Sequence, residues 1–309
     1  MDFAPLAHHV LNACPSPSKK ISSPGKHSLA SPGKQIALAN PSTLRLQFVD
    51  PCPLPSLALT STVLKPTNGE YNFGDLGLLT PHETLRIMTE RGRRALEFYN
   101  PEKCPWKTAR AKFYFENFYN KFLHEHHDAE EEMFFPYYKA LGATDFEKQG
   151  ADHKVLLALL DDFMNAFSLN NGDELRAKYK IFCEHLLGHL AEEEEYWPAV
   201  IRRYGKDKLE KIEQTIVDNG IKNGGAAFQM ALIEVCEGMG VNLTGPHPEH
   251  GWASKAVKDN MKKKLPKIVR SVLAPMWRKN WEYHTDMLLS ITTDIETPVL
   301  RATGCCTIM

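Results

Sequence analysis

Cysteine is scarce and unpatterned: seven residues in 309, with no CxxC pair and no evenly spaced framework. That excludes a disulfide-stapled secreted scaffold and suits a reducing, intracellular setting. No apolar run approaches the ~20 residues a membrane helix needs. The start of the chain lacks the ~7–15-residue apolar core of a secretory signal. Arginine is absent before Arg45, which argues against an organellar transit peptide. There is no glycine-rich phosphate loop and no nucleophile motif, so an enzymatic reading has little to rest on besides a metal. No nucleic-acid-binding module is visible, and no nucleic-acid partner is expected.

Net charge is close to absent too, at −1, but it is unevenly spread. Up to Lys65 there are six basic residues against two acidic, and after Val235 ten against seven. The middle holds 21 basic and 29 acidic residues, so an acidic body carries two basic ends.

Residues 1–72 are rich in proline and serine and are expected to form a disordered tail, because they cannot bury enough apolar surface to offset their ordering entropy. The tail carries SPSK at Ser16 and SPGK at Ser23 and Ser31, a series resembling the sites read by proline-directed kinases. Order is expected from about Leu76. Thr80-Pro81-His82-Glu83 is a capping box with proline at the first helical position, so a first helix is predicted from there to about Tyr99. A second is predicted from about Pro105 to Tyr138, a third from about Asp145 to Phe167, and a fourth from about Asp173 to Tyr204, stopped by Gly205. Long helices joined by short turns predict an all-α, antiparallel up-down four-helix bundle over residues 76–205.

The second of these helices carries the most informative stretch, HEHHDAEEEMFFPYY from His124 to Tyr138. Helical positions four apart differ by about 40° around the axis and ~6 Å along it. His126 with Glu130, or His127 with Glu131, therefore presents an imidazole and a carboxylate together, a pairing that suits iron or zinc. The plain alternative is a charged, solvated face. HLAEEEEYWPAV from His189 repeats the histidine, the acidic cluster, the aromatics and the proline, which a solvated face has no reason to do. Phe115, Tyr119, Met133 and Tyr137 lie within about 20° of His126, whereas His127 shares its face with Glu116, Asn120 and Phe134. That selects His126–Glu130 as the inward pair. The same count selects His189–Glu193 and turns Glu194 away. His153 sits on an apolar stripe with Phe146, Leu160 and Met164, and His82 shares its face with Arg86 and Arg93. In an antiparallel bundle these four histidines fall toward one end.

A histidine early in helix one, His126xxxGlu130 followed by Phe134-Phe135-Pro136, a histidine in helix three, and His189xxxGlu193 followed by Tyr196-Trp197-Pro198 together resemble the hemerythrin-like (HHE cation-binding) family over about Leu76 to Gly205. The resemblance implies a non-haem di-iron centre, two iron ions per chain, inside a four-helix bundle. It also implies the ligands His82, His126, Glu130, His153, His189 and Glu193, with His127, Glu131 and His185 as further candidates. Oxygen-carrying members have a second helix-three histidine where this chain has Leu157, and a helix-four carboxylate at the position of Glu194. Four histidines and two bridging carboxylates supply about eight of the roughly twelve bonds two octahedral ions take. The open positions suit dioxygen or peroxide, and redox, oxygen or iron sensing or iron handling rather than simple oxygen carriage. The alternatives are a di-iron oxidase or peroxidase and a scaffold with a structural metal; whether the chain is an enzyme stays open here.

Residues 206–300 are expected to form a helical extension. Between Lys255 and Lys279 stand nine Lys/Arg and one acid, Asp259, with Ala253, Val257, Met261, Leu265, Ile268 and Val272 at helical spacing. That describes a basic amphipathic element for an anionic membrane surface, or a helix packed on the bundle with a solvated face, kinked or divided at Pro266. In the tail 301–309, Cys306-Thr307-Ile308-Met309 fits a C-a-a-X prenylation box, and Cys305 offers a palmitoylation site. The expectation is a cytoplasmic protein held at the cytoplasmic face of a membrane by lipid on Cys306; the sequence names no protein partner.

Overall fold

The computed structural model describes residues 63–65, 71, 73–144, 146–204, 206–223 and 225–299. Among these the fold is all-helical, with no strand. The Ser-Pro-x-Lys sites at Ser16, Ser23 and Ser31, the terminal Cys305 and Cys306, and the predicted boundary residues Asp145 and Gly205 lie outside the described residues.

Helix α1 runs Phe73–Glu97 and α2 spans residues 106–140; α3 is Glu147–Ala166 and α4 is Gly172–Tyr204. The capping box proves not to be a helix start: α1 begins at Phe73, and Pro81 lies inside it. Proline removes one backbone donor from such a helix. Residue 77, whose carbonyl that donor would serve, is a glycine. Thr84 donates its hydroxyl to the Thr80 carbonyl at 2.9 Å, filling a local acceptor.

Helix α2 is not uniform. Two π segments, Phe115–Tyr119 and Glu130–Phe134, interrupt its α-helical turns. The second ends two residues before Pro136. A widened turn leaves room for a ring that cannot join the i→i−4 ladder. The same arrangement recurs where the π segment Val269–Leu273 precedes Pro275. The α3–α4 turn follows the sequence reading. Asn170 adopts φ 50°, and the Asn171 side chain accepts from the amides of Asp173 and Glu174 at 3.0 and 3.1 Å, capping α4.

Helix α4 packs along both α1 and α3. Their shared core is aromatic: Tyr114, Phe115, Phe118, Phe163, Tyr179 and Phe182 are fully buried or nearly so. A separate cluster of Phe135, Tyr138, Trp197, Val200 and Ile201 closes one end. The repeated aromatic-proline motifs thus meet each other, with Phe135 stacked on Trp197 at 5.2 Å.

The extension forms α5 (Lys206–Asn223), α6 (Ala226–Met239), α7 (Lys255–Lys264) and α8 (Ala274–Leu289). Its α6 is apolar on nearly every face, the pattern of a buried helix. Met230, Ala231, Leu288 and Ile291 join the same core as α1–α4. Arg91 of α1 donates two hydrogen bonds to Glu234 of α6, at 2.6 and 2.7 Å, and Trp281 of α8 donates to the same carboxylate at 2.7 Å. Pro266 divides the basic stretch as expected: Leu265 is extended (ψ 132°), the conformation favoured before proline. The expected apolar stripe splits there. Ala253 and Leu265 are buried and Val257 and Met261 pack beside them, whereas Ile268 and Val272 are 58% and 46% exposed. No helix among the described residues is long and apolar enough to cross a membrane.

Candidate metal centre

Each of α1–α4 sends histidine or glutamate into one buried space. Two groups of donors result: His82, His126, Glu130 and Glu193, and beside them His127, His153 and His189. Within each group the donor atoms lie within 4.8 Å of one another, and every one of these residues is buried.

The carboxylates stand between the two groups. Glu130 Oε1 is 3.5 Å from His126 Nε2 and 4.0 Å from His82 Nε2, while its Oε2 is 3.5 Å from His153 Nε2. Glu193 Oε2 is 3.3 Å from His82 Nε2 and 3.5 Å from His189 Nε2, while its Oε1 is 3.8 Å from His153 Nε2. These separations are too long for good hydrogen bonds and suit donors arranged around a common ion. The Nε2 atoms of His82, His126, His127, His153 and His189, both oxygens of Glu193 and Oε2 of Glu130 are buried without a hydrogen-bond partner. Unpartnered buried polar atoms are costly, and here they converge. Nitrogen and carboxylate donors with no thiolate suit iron or zinc. The residues present fit a two-ion centre.

The neighbouring acids fix two of the rings. His153 Nδ1 lies 2.8 Å from Glu131 Oε1, and His82 Nδ1 lies 2.9 Å from Glu194 Oε1. Each ring that holds a carboxylate at its far nitrogen turns its Nε2 inward, the usual way a protein orients a metal-ligating imidazole. Glu194 also takes an ion pair from Arg86 at 2.8 Å, and Arg86 bonds Glu83 at 2.7 Å. Glu194 was expected to face away; it is 1% exposed. Consecutive helical residues differ by about 100°, so Glu193 reaches the centre while Glu194 reaches across to α1.

Burial sets the protonation. It pushes His126, His127 and His189 below the ordinary imidazole range, leaving them neutral with a lone pair to give. Burial also acts on His82 and His153, but the close glutamates outweigh it and raise both. Glu130 is raised by burial and by the nearby Glu193 and Glu131. For Glu193 burial opposes ionisation, yet the approach of His153 and His82 holds it well below the carboxylate range.

The structure thus brings together His82, His126, Glu130, His153, His189 and Glu193, and adds His127 to them. Glu131 sits behind His153, and half-buried His185 belongs to neither group. His127 faces inward because the two π segments flank it. Helical counting carried across them predicts Met133 and Tyr137 on the buried face, whereas Phe135 and Tyr138 occupy it. The adjacent His126 and His127 then lie one on either side of the inward direction. A proline shortly after an acidic run was the available signal for the second π segment.

The open wall of the centre is a cavity of about 340 Å³ against α5 and α6, reached past His126 and Glu130.

Residues 77–201 match the model of the hemerythrin HHE cation binding domain family. No curated protein and no solved structure matches the chain significantly.

Proposed function

With residues 77–201 a hemerythrin HHE cation-binding domain, we propose that the chain binds two iron ions within an antiparallel up-down bundle of α1–α4 and serves intracellular redox, oxygen or iron sensing, or iron handling. The observation that carries this is the convergence of unpartnered, buried nitrogen and carboxylate atoms from four helices on two adjacent points. His82, His126, Glu130 and Glu193 would hold one ion and His127, His153 and His189 the other, with both carboxylates reaching both groups. Bound iron supplies reversible electron transfer and an affinity for dioxygen or peroxide. The protein's part is to present neutral imidazoles, to fix two of them through Glu131 and Glu194, and to screen the site from water with Phe135 and Trp197. A buried geometry rich in ligand atoms is compatible with sensing or storage.

The test is metal analysis of the purified full-length chain with its absorption spectrum in air and under reduction. About two irons per chain are expected; protein from iron-replete cells without transition metal ends this reading. Sustained consumption of oxygen or peroxide in the presence of a reductant would instead select the oxidase or peroxidase alternative.

Attachment to the cytoplasmic face of a membrane is proposed alongside, through lipid on Cys306 with Cys305 as a second site. Its support is the terminal motif and the exposure of Lys263 and Lys267 close in sequence to exposed Ile268 and Val272. One lipid chain alone binds marginally, and each basic residue near an anionic leaflet adds about 1 kcal/mol. Intact-mass analysis of protein from eukaryotic cells tests it: an isoprenoid mass with loss of Thr307–Met309 is expected, and an unmodified terminus refutes it.

A further inference from the structure

The cavity beside the metal centre is not explained by metal binding. At about 340 Å³ it is many times the ~30 Å³ share of one water, and falls within the ~300–1,000 Å³ range of small-molecule sites. Its walls are mainly apolar, with Leu78, Phe122, Met133, Phe134, Ile216 and Phe228 among them. Its charge is of one sign. Glu125, Asp128, Glu130 and Glu132 line it, and no lysine or arginine does. Lys121 stands one turn before Glu125 but outside the lining.

Besides the atoms of the centre's own donors, one buried atom of the lining has no partner: Glu125 Oε2. His126, 7% exposed with Nε2 unpartnered, forms part of the floor. A second, more apolar cavity of about 240 Å³ shares Gly77, Pro81, Phe122, Ile216 and Phe228 with the first and continues among Val217, Ala231, Leu232 and Met239. The far walls of both come from α5 and α6, and those of the second also from α7, all beyond the residues matched to the family; Lys264 of α7 and Glu213 of α5, 3.6 Å apart, form an ion pair in the second cavity's wall.

We propose that the two cavities form one binding site for an aliphatic ammonium compound, its cationic head among Glu125, Asp128 and Glu132 next to the metal centre and its alkyl chain running toward Leu232 and Met239. At the head end only carboxylates line the wall, which selects a cation and repels the corresponding acid; the lysine of the joined site, Lys264, lies in the second cavity and is paired with Glu213. A route for hydrated metal ions alone would need neither this volume nor apolar walls. The inference rests on the metal reading only for what lies at the head end.

Calorimetric titration of the metal-loaded full-length protein with an n-alkylamine series tests it, with metal content measured on the same samples. Hexylamine is expected to bind at least tenfold more tightly than hexanol, and hexanoate not at all. Each added methylene should strengthen binding by up to about fourfold, the equivalent of ~0.8 kcal/mol, until the second cavity is full. Hexyltrimethylammonium, which has no lone pair for a metal, should bind within tenfold of hexylamine. Glu125→Gln should weaken the amine and leave hexanol unchanged. Gly225→Phe should block the site, since Gly225 lines the cavity, nothing lies within 4 Å of a Cβ placed there, and its φ of −71° suits any residue. Equal binding of hexanol, no chain-length dependence, or an affinity unmoved by both variants overturns the proposal. Amine binding to protein that carries no iron would leave the site standing and remove the metal reading; iron without amine binding does the reverse.

Discussion

Glu194→Gln separates a residue that orients a ligand from one that is a ligand. In the native chain its Oε1 meets His82 Nδ1 at 2.9 Å and an Arg86 nitrogen at 2.8 Å, with the side chain fully buried. Glutamine keeps the shape and still accepts a hydrogen bond, but the acceptor is no longer ionised. Hydrogen bonds to charged groups are worth about 1.5–3 kcal/mol against roughly 0.5–1.5 for neutral ones. The His82 bond should therefore lose about 1–1.5 kcal/mol, or roughly tenfold in metal affinity. This sits at the lower end of the ~10–100-fold typical of such partners. Arg86 keeps Glu83, at 2.7 Å, so the ion-pair network survives. Glu131→Gln makes the matching change behind His153, but Glu131's side chain is 46% exposed, and solvent screening should hold the loss to a few-fold. Glu193→Gln, at a donor shared by both groups, should abolish stoichiometric loading. Anaerobic competition with a chelator of known affinity gives the three numbers. The reasoning is refuted if Glu194→Gln loads like wild type, if it fails as completely as Glu193→Gln, or if Glu131→Gln is the more damaging of the pair.

Three further outcomes are expected. His127→Ala should lose metal and lower the melting temperature as His126→Ala and His189→Ala do, because bound metal is linked to folding; retention of two irons by His127→Ala would restrict the donor set to the other histidines. Arg91→Ala should destabilise the chain by about 3–5 kcal/mol by stranding Glu234, while the Arg91→Leu, Glu234→Leu pair should come closer to neutral, as measured by urea unfolding; equal effects of single and double changes would contradict the coupling of α1 to α6. Burial raises Glu213 to about 7, against the pull of Lys264, so the folded state holds its proton more tightly than the unfolded chain. Its contribution to stability is complete below about pH 4.5 and lost as pH rises through about 7. The stability of metal-free wild type relative to Glu213→Gln should fall over that window, and parallel pH profiles would show the carboxyl is not buried as described.

Much of the centre was legible because its information is local. His126–Glu130 and His189–Glu193 are one-turn pairs, and a one-turn relation survives whatever the helix does elsewhere. His82 and His153 were legible only once the helices were taken as antiparallel, since nothing local marks them. What failed was counting over longer spans. His127 was set on the polar face by comparison with Glu116 and Phe134, each lying within a π segment. A π turn takes up about one extra residue, and one residue rotates everything beyond it by about 100°. The start of α1 was misplaced for a different reason. A capping box with proline describes an available helix start, and Pro81 shows that the chain need not use it.

The extension shows why composition alone could not place its faces. The nine Lys/Arg between Lys255 and Lys279 suggested an amphipathic element kinked or divided at Pro266, yet Lys258 is 5% exposed and donates to the carbonyls of Pro248 and His250. Its charge therefore holds a loop rather than meeting solvent or lipid. Lys262 likewise donates to the Gly245 carbonyl. A membrane reading that counts every lysine overstates the attraction, and at about 1 kcal/mol each those two remove roughly 2 kcal/mol from it. What remains outward and outside an ion pair with the protein's own acids are Lys263, Lys267 and Lys279, with the exposed Ile268 and Val272; exposed Lys255 pairs with Asp259 and Lys264 with Glu213. Neutralising Lys258 and Lys262 should therefore weaken folding, whereas neutralising Lys263 and Lys267 should weaken vesicle binding at unchanged melting temperature. Flotation with anionic vesicles and a thermal melt on the same four single variants decide it. If all four behave alike in flotation, the attraction is diffuse charge and the exposed face has no special part in it.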